Sequence, residues 1–462
     1  MASSRNSKRD KGGPFDLATH VAARLKTAVS PGDRLLLGLS GGIDSIVLLD
    51  ILARIAPRLQ VTISALHVNH QLSPNAPQWA RFCRAVCAAR DIPCRVTKVQ
   101  VARGDSTERA AREARYAAFR RSAADHVVLA HNADDQAETV LLQLLRGAGA
   151  KGLAAMPLVR RERVVEELGD GDSSSIVRPL LDVPRACVED YAKRRKLEWI
   201  EDESNTDTVY LRNWLRHEIV PRIAERVPAY RAVLRRVARH FAELSEVLDE
   251  VADLDARQYV HGSAVAIEAL RELSPARAKN LLRRVIARHG WRMPDADKLD
   301  EALRQALAAR RDAQLIVNLG ACELRRHGRL LHLLPATQRS AAQCVVEWQG
   351  ERELALPALG GVLTMTPKKG AGLSAARLEA QPVTIRPREG GERLQPHPDR
   401  PRRTVKNLLQ EARIPAWERS RLPFIYCGDT LACVPGVGVD HRFQARPGEA
   451  SIVVGWRPHV RT

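Results

Sequence analysis

"LLLGLSGGIDSIVLLD", Leu35 to Asp50, sets two glycines between two apolar runs. "RLLLGLS" (34–40) is long enough for a buried strand, and a helical pattern starts at Asp44. At such a turn several backbone N–H groups converge, and the helix dipole favours an anion. Gly41 and Gly42 let the backbone approach a ligand closely, and Ser40 and Ser45 add hydroxyl donors. A plain turn needs a glycine, but not two flanked by serines and followed by an acid. The stretch therefore predicts a phosphate-binding loop. It is not a Walker A loop, which needs G-x-x-x-x-G-K-S/T, because no lysine occurs between Lys26 and Lys98.

The surrounding pattern alternates. "VTISALHVNH" (61–70), "CRVTKVQV" (94–101) and "HVVLAH" (126–131) read as strands. Asp44–Ile55, Pro77–Arg90, Ser106–Arg121 and Asp134–Arg146 read as helices. Strand and helix in turn predict an α/β, Rossmann-type parallel sheet with helices on both faces. Ligands of such sheets bind beyond the carboxyl ends of the strands. The polar clusters Ser40–Ser45, His67–His70 and His131–Asp135 fall there. Gly147, Gly149 and Gly152 spell G-x-G-x-x-G, but they follow a helix, so a dinucleotide fingerprint fails on context and a helix end explains them.

The chain has 462 residues, enough for two to four domains. Apolar residues make up 45% and charged residues 27%, as in globular proteins. Lys and Arg outnumber Asp and Glu by 73 to 54, a formal charge of +19 that points to a polyanionic partner such as nucleic acid. The eight cysteines are scattered without a C-x-x-C pair, as expected of reduced thiols in a cytoplasmic protein. Cys83, Cys87 and Cys94 read as core thiols rather than metal ligands. "MASSRNSKRDKGG" (1–13) is basic, carries no secretory signal and reads as a disordered arm. No apolar run has the length of a membrane span.

Four regions follow: a basic arm and first helix (1–30), the α/β domain (31–216), a helical region (217–337) and a small α+β domain (338–462). "EELGDGDSSS" (166–175) reads as a surface loop. From 217 to 311 the chain reads almost wholly helical and rich in arginine. The stretch 386–421 holds ten Lys or Arg against five Asp or Glu, with Trp417 inside it to stack on a base or fill a core.

"SGGIDS" resembles the signature of the PP-loop ATP pyrophosphatases, S-G-G-x-D-S. "HVNHQLSPNAPQW" (67–79), "ERAAREARY" (108–116), "AHNADDQAETVLLQLLRGAGAKGLAAM" (130–156) and "DESNTDTVYLRNWLRHEIVP" (202–221) are similar to the tRNA(Ile)-lysidine synthetase branch of that superfamily. So are "RPLL" (178–181), "REGGERLQP" (388–396) and 406–440. The resemblance covers most of residues 30–445 and is weak over the acidic loop and the helical middle. It departs at Asn132, where relatives commonly carry a second histidine.

The resemblance implies an ATP-dependent ligase. ATP adenylates O2 of the wobble cytidine in a CAU anticodon, and the ε-amine of free lysine then displaces AMP. ATP and Mg²⁺ are the implied cofactors, and tRNA(Ile) and free L-lysine the partners; a homodimer stays open. Ser40, Gly41, Gly42, Ile43, Asp44, Ser45, His67 and His131 are the expected ATP-binding residues, and His70 also ends a strand there. Asp44, Asp134, Asp135, Arg112 and Arg115 are the expected catalytic residues. Asp44 and Asp134 are the expected Mg²⁺ ligands; Asp44, Asp134 and Asp135 suit Mg²⁺ or an amine equally, and Asp134 also suits an N-cap. Arg112 and Arg115, three apart, suit phosphate, tRNA backbone or a solvated face. Glu138 shares a helical face with Asp134. Arg212, Asn213, Arg216, Arg235, Arg283, Arg402, Arg403 and Lys406 are expected to contact tRNA. A tRNA thiolase and a tRNA-binding protein without catalysis are the alternatives. The missing C-x-x-C argues against the first, and intact Ser40–Ser45 with Asp134–Asp135 against the second.

Overall fold

The computed structural model describes residues 16–100, 107–161, 174–203, 207–310, 315–336 and 345–458. The chain divides into two compact units, Met1–Val251 and Ala252–Thr462. The arm 1–13, most of the acidic loop 166–175, and Ser204 and Asn205 lie outside the described residues.

In the first unit α1 (Leu17–Lys26) leads into β1 (Arg34–Gly38), α2 (Ile43–Leu59), β2 (Thr62–Asn69), α3 (Ala76–Ala88) and β3 (Cys94–Lys98). Then come α4 (Thr107–Arg120), β4 (His126–Val128), α5 (Ala133–Leu145), α6 (Ala150–Leu153), β5 (Val159–Arg161), β6 (Ser175–Val177) and α7 (Arg185–Arg195). The sheet order is β3-β2-β1-β4-β6-β5, parallel except for β5 against β6. β1 and α2 form the apolar centre: Leu35, Leu37, Val47, Leu48, Leu49, Ile51 and Leu52 are fully buried. A strand buried on both faces has no polar side to alternate with, which is why "LLL" reads as one run.

Strand order places β1 between β2 and β4, so the chain leaves β1 at the switch point of the sheet. There the crossovers diverge and open a crevice beyond the carboxyl ends of β1 and β4. β4 ends at Val128, before His131, and Asn132 caps α5.

The first unit closes with α8 (Leu211–Trp214), a π-helical turn at Leu215–Ile219, α9 (Val220–Arg226) and most of α10 (Tyr230–Tyr259). The span expected to be almost wholly helical contains a hairpin, β7 (Val260–His261) and β8 (Ala264–Ala266), turning at Gly262 with φ +62. Two-residue turns of this kind need positive φ, and the valines on either side favour strand. The second unit continues with α11 (Ile267–Glu272), α12 (Pro275–Arg288), α13 (Ala296–Ala308), β9 (Ile316–Asn318), β10 (Cys322–His327) and β11 (Leu330–Pro335). Leu281, Leu282 and Val285 of α12 pack on Leu324, Leu331 and Leu333. Residues 345–458 carry three further antiparallel sheets, of five, four and two strands among the described residues.

Candidate active site

The loop after β1 is tied by its own hydroxyls. Ser45 Oγ accepts from Gly41 N at 3.1 Å, donates to Gly42 O at 2.9 Å and lies 3.1 Å from Ser40 Oγ. Gly41 sits at φ +93, and a Cβ there would come within 2.6 Å of Ile200 Cδ1. The left-handed conformation there favours glycine, and a Cβ would also push aside the end of the Ile200 side chain. Gly42 is the N-cap of α2 with no side-chain cap, and Ile43 and Asp44 open the helix.

Opposite stands the start of α5. Asn132 is its N-cap, accepting from Asp134 N and Asp135 N at 2.9 and 3.1 Å. Asp135 reaches back to Asn132 N at 3.0 Å, completing a capping box. The other end of the Asn132 amide donates to Asp44 Oδ1 at 2.9 Å. One asparagine thus ties the phosphate-loop helix to α5. Sequence reasoning gave Asn132 no such role, although N-x-x-D ahead of an apolar helical pattern is a capping signal.

Burial raises the Asp44 carboxyl above its ordinary range, and Asp135 nearby adds to it; Asn132, Arg185 and Arg216 oppose both. No second hydrogen-bond donor reaches Asp44 among the described residues. Burial would also raise Asp135, but the Arg212 guanidinium, with the Asn132 N–H and Arg216, holds it low. Arg212 Nη2 donates to Asp135 Oδ1 at 2.9 Å and Arg216 Nη2 at 3.2 Å. The same arginines grip Glu138: Arg212 Nε to Oε2 at 2.8 Å, Arg216 Nε to Oε1 at 2.6 Å. Glu138 is 2% exposed. The clamp comes from α8 and the π-helical turn, a widening common at functional sites.

Several expected residues stand elsewhere. Asp134, expected beside Asp44 on Mg²⁺, has both oxygens engaged. Oδ2 accepts from Arg185 N at 2.9 Å; Oδ1 accepts from Arg231 Nε at 2.6 Å and Tyr230 OH at 3.2 Å. Neighbouring helical positions point about 100° apart, so Asp135 faces Asp44 while Asp134 caps α7 and ties α10. Glu138 pairs with Asp135's arginines, not with Asp134. Arg212 and Arg216, expected on tRNA, are spent on carboxylates of the chain itself, and Asn213 Nδ2 donates to Asp207 O at 2.8 Å.

Arg112 and Arg115 diverge. Arg115 acts electrostatically on His70 and His131, while Arg112 donates to Tyr116 OH at 3.3 Å. His67 Nδ1 is satisfied by Leu39 O at 3.0 Å. His70 Nδ1 and His131 Nδ1 are buried without hydrogen-bond partners. Burial lowers His131 to about 3 and His70 to about 4, so both imidazoles are neutral at pH 7.

Arg283 and Lys406 are exposed, Arg403 pairs with Glu411, and Arg402 bonds Arg393 O at 3.3 Å. Trp417 stands 5.0 Å from the His332 ring, edge on, with Arg325 over its face at 5.8 Å. The described cysteines are free thiols, and no helix among the described residues is long and apolar enough to cross a membrane.

A parallel sheet that ends, at its switch point, in S-G-G-I-D-S facing a carboxylate-bearing helix defines a PP-loop, ATP-utilising protein. Residues 17–223 match the PP-loop domain, 266–332 the TilS substrate binding domain and 383–456 the TilS substrate C-terminal domain. A tRNA(Ile)-lysidine synthase of Nitrosomonas europaea is 43% identical over 96% of both chains. One from Coxiella burnetii is 38% identical over 94% of this chain and 95% of its own. One from Chromobacterium violaceum is 41% identical over 91% and 94%. The chain belongs to the tRNA(Ile)-lysidine synthase family.

Proposed function

We propose that this chain joins free lysine to C2 of the wobble cytidine of CAU-anticodon tRNA(Ile), at the expense of ATP. The observation that carries the reading is the pairing of the S-G-G-I-D-S loop with the Asp44–Asn132–Asp135 bridge at the switch point, in a chain of this family. In the first step cytidine O2 attacks the α-phosphorus and the bond to pyrophosphate breaks. In the second, the lysine ε-amine attacks C2, O2 departs with AMP, and the amine gives up a proton.

The chain's own groups have distinct parts. Ser40 to Ser45 cradle the phosphates, with the α2 N-terminus favouring their charge. The neutral His70 and His131, each with an unsatisfied ring nitrogen, offer hydrogen bonds to the nucleotide without repelling a cation. Asp44 fits Mg²⁺: it is a hard oxygen donor with room for a further partner, and a cation relieves its repulsion with Asp135. The ion supplies charge neutralisation for the leaving pyrophosphate. The substrates and the free thiols support a cytoplasmic location.

The test is incubation with ATP, Mg²⁺, labelled lysine and CAU-anticodon tRNA(Ile). Label is expected in the tRNA, with one AMP and one pyrophosphate released per lysine. Label that stays out of the tRNA while another acceptor reacts would overturn the reading.

A further inference from the structure

Beside the catalytic crevice, α4, α5, α6 and the first half of α10 enclose a separate cavity of about 1060 Å³. Gln136, Thr139 and Gln143 of α5 line one wall, and none of Ser40–Ser45 reaches it. Its lining is strongly cationic. Arg112, Lys151, Arg178, Arg235 and Arg236 all border it, and no carboxylate among the described residues pairs with any of the five. The carboxylates of the lining are Asp182, bonded to His20 and Arg24, and Glu246 and Asp249 further along α10.

Arg178 makes the case for a ligand. It is 1% exposed; its Nη1 donates to Pro157 O at 2.9 Å, yet its Nε has no hydrogen-bond partner. A buried donor on a charged group is costly to leave unsatisfied. Arg112 lies over the Tyr116 ring at 5.0 Å and Arg160 over the same ring at 5.7 Å, so three guanidiniums gather about one tyrosine. Like charges so placed favour an anion among them.

We propose that this cavity holds the sugar–phosphate backbone of the RNA substrate. Arg112 and Arg178 take one phosphate, and Arg235 and Arg236 take its neighbours along α10. The volume exceeds what one phosphate needs, and the separation from Ser40–Ser45 makes this a second anion site beside the one for ATP. Arginine forks suit phosphate oxygens in a way that fixes orientation. The inference rests on the reading of the chain as a tRNA-modifying enzyme, and it names where the backbone is gripped.

The experiment measures binding of the full chain to fluorescent tRNA(Ile) and to a tRNA of different anticodon across a salt series. Arg235→Ala/Arg236→Ala is expected to weaken both about 10-fold or more at 0.1 M salt. The slope of log affinity against log salt should fall by about two, one per lost phosphate contact. Both tRNAs should respond alike, because phosphate contacts carry no sequence information, and ATP binding should stay as in the parent chain. As a second readout, tRNA should shield Lys151 from acetylation. Unchanged affinity and slope, with Lys151 equally reactive, would overturn the cavity even if lysine is incorporated. A parent chain that grips RNA through these arginines yet never incorporates lysine supports the cavity and overturns the proposed reaction.

Discussion

Two arginine clusters of the first unit meet opposite fates. Arg212 and Arg216 are saturated by Asp135 and Glu138, whereas Arg112, Arg178, Arg235 and Arg236 meet no carboxylate among the described residues. Arginines of one type, in one unit, thus do different work. The paired set holds carboxylates in place at the crevice, and its charge is cancelled before any ligand arrives. The unpaired set keeps its charge for a ligand. Net charge alone cannot separate the two, because an arginine counts equally whether spent or free.

Breaking the paired cluster should have the largest effect on stability. Glu138→Gln leaves Arg212 and Arg216 facing a neutral amide in a buried place, and should lower unfolding free energy by about 3 kcal/mol, discounted little because Glu138 is buried. Urea denaturation reads this; a change below about 1 kcal/mol would mean that the clamp is not structural. Asn132→Ala comes next. It removes the α5 cap, worth about 1 kcal/mol, and the bond that holds Asp44. Turnover should fall more than stability, as seen by comparing lysine incorporation with the thermal midpoint. Equal, small losses would reduce Asn132 to a cap. Arg235→Ala/Arg236→Ala should do least to the fold, within about 0.5 kcal/mol, since exposed unpaired side chains support little. A large destabilisation there would erase the contrast between the clusters.

Much of the architecture was legible because it is local. Apolar and β-branched runs marked β1 to β4 and period-3.6 patterns marked α2 to α5, and Gly41's φ +93 gives physical content to the quoted glycine pair. The hairpin at 260–266 was missed among strongly helical neighbours, although Gly262 between valines signalled it. Trp417 was left between stacking and packing, and its partners His332 and Arg325 lie on β10 and β11, far away in sequence. The role of Asp134 was misplaced for the same reason: its partners are Arg185, Tyr230 and Arg231.

By itself the sequence determined a parallel sheet, a glycine–serine loop suited to phosphate at a helix start, the absence of a Walker lysine, and a surplus of positive charge. These follow from side-chain periodicity and backbone chemistry within a few residues. Only the tertiary structure decided that Asp135 rather than Asp134 faces Asp44, that Asn132 bridges the two helices, and which arginines are spent. Those choices join residues such as Glu138 and Arg212, 74 positions apart. Pairings at that range depend on how helices settle on the sheet, and no local pattern encodes them.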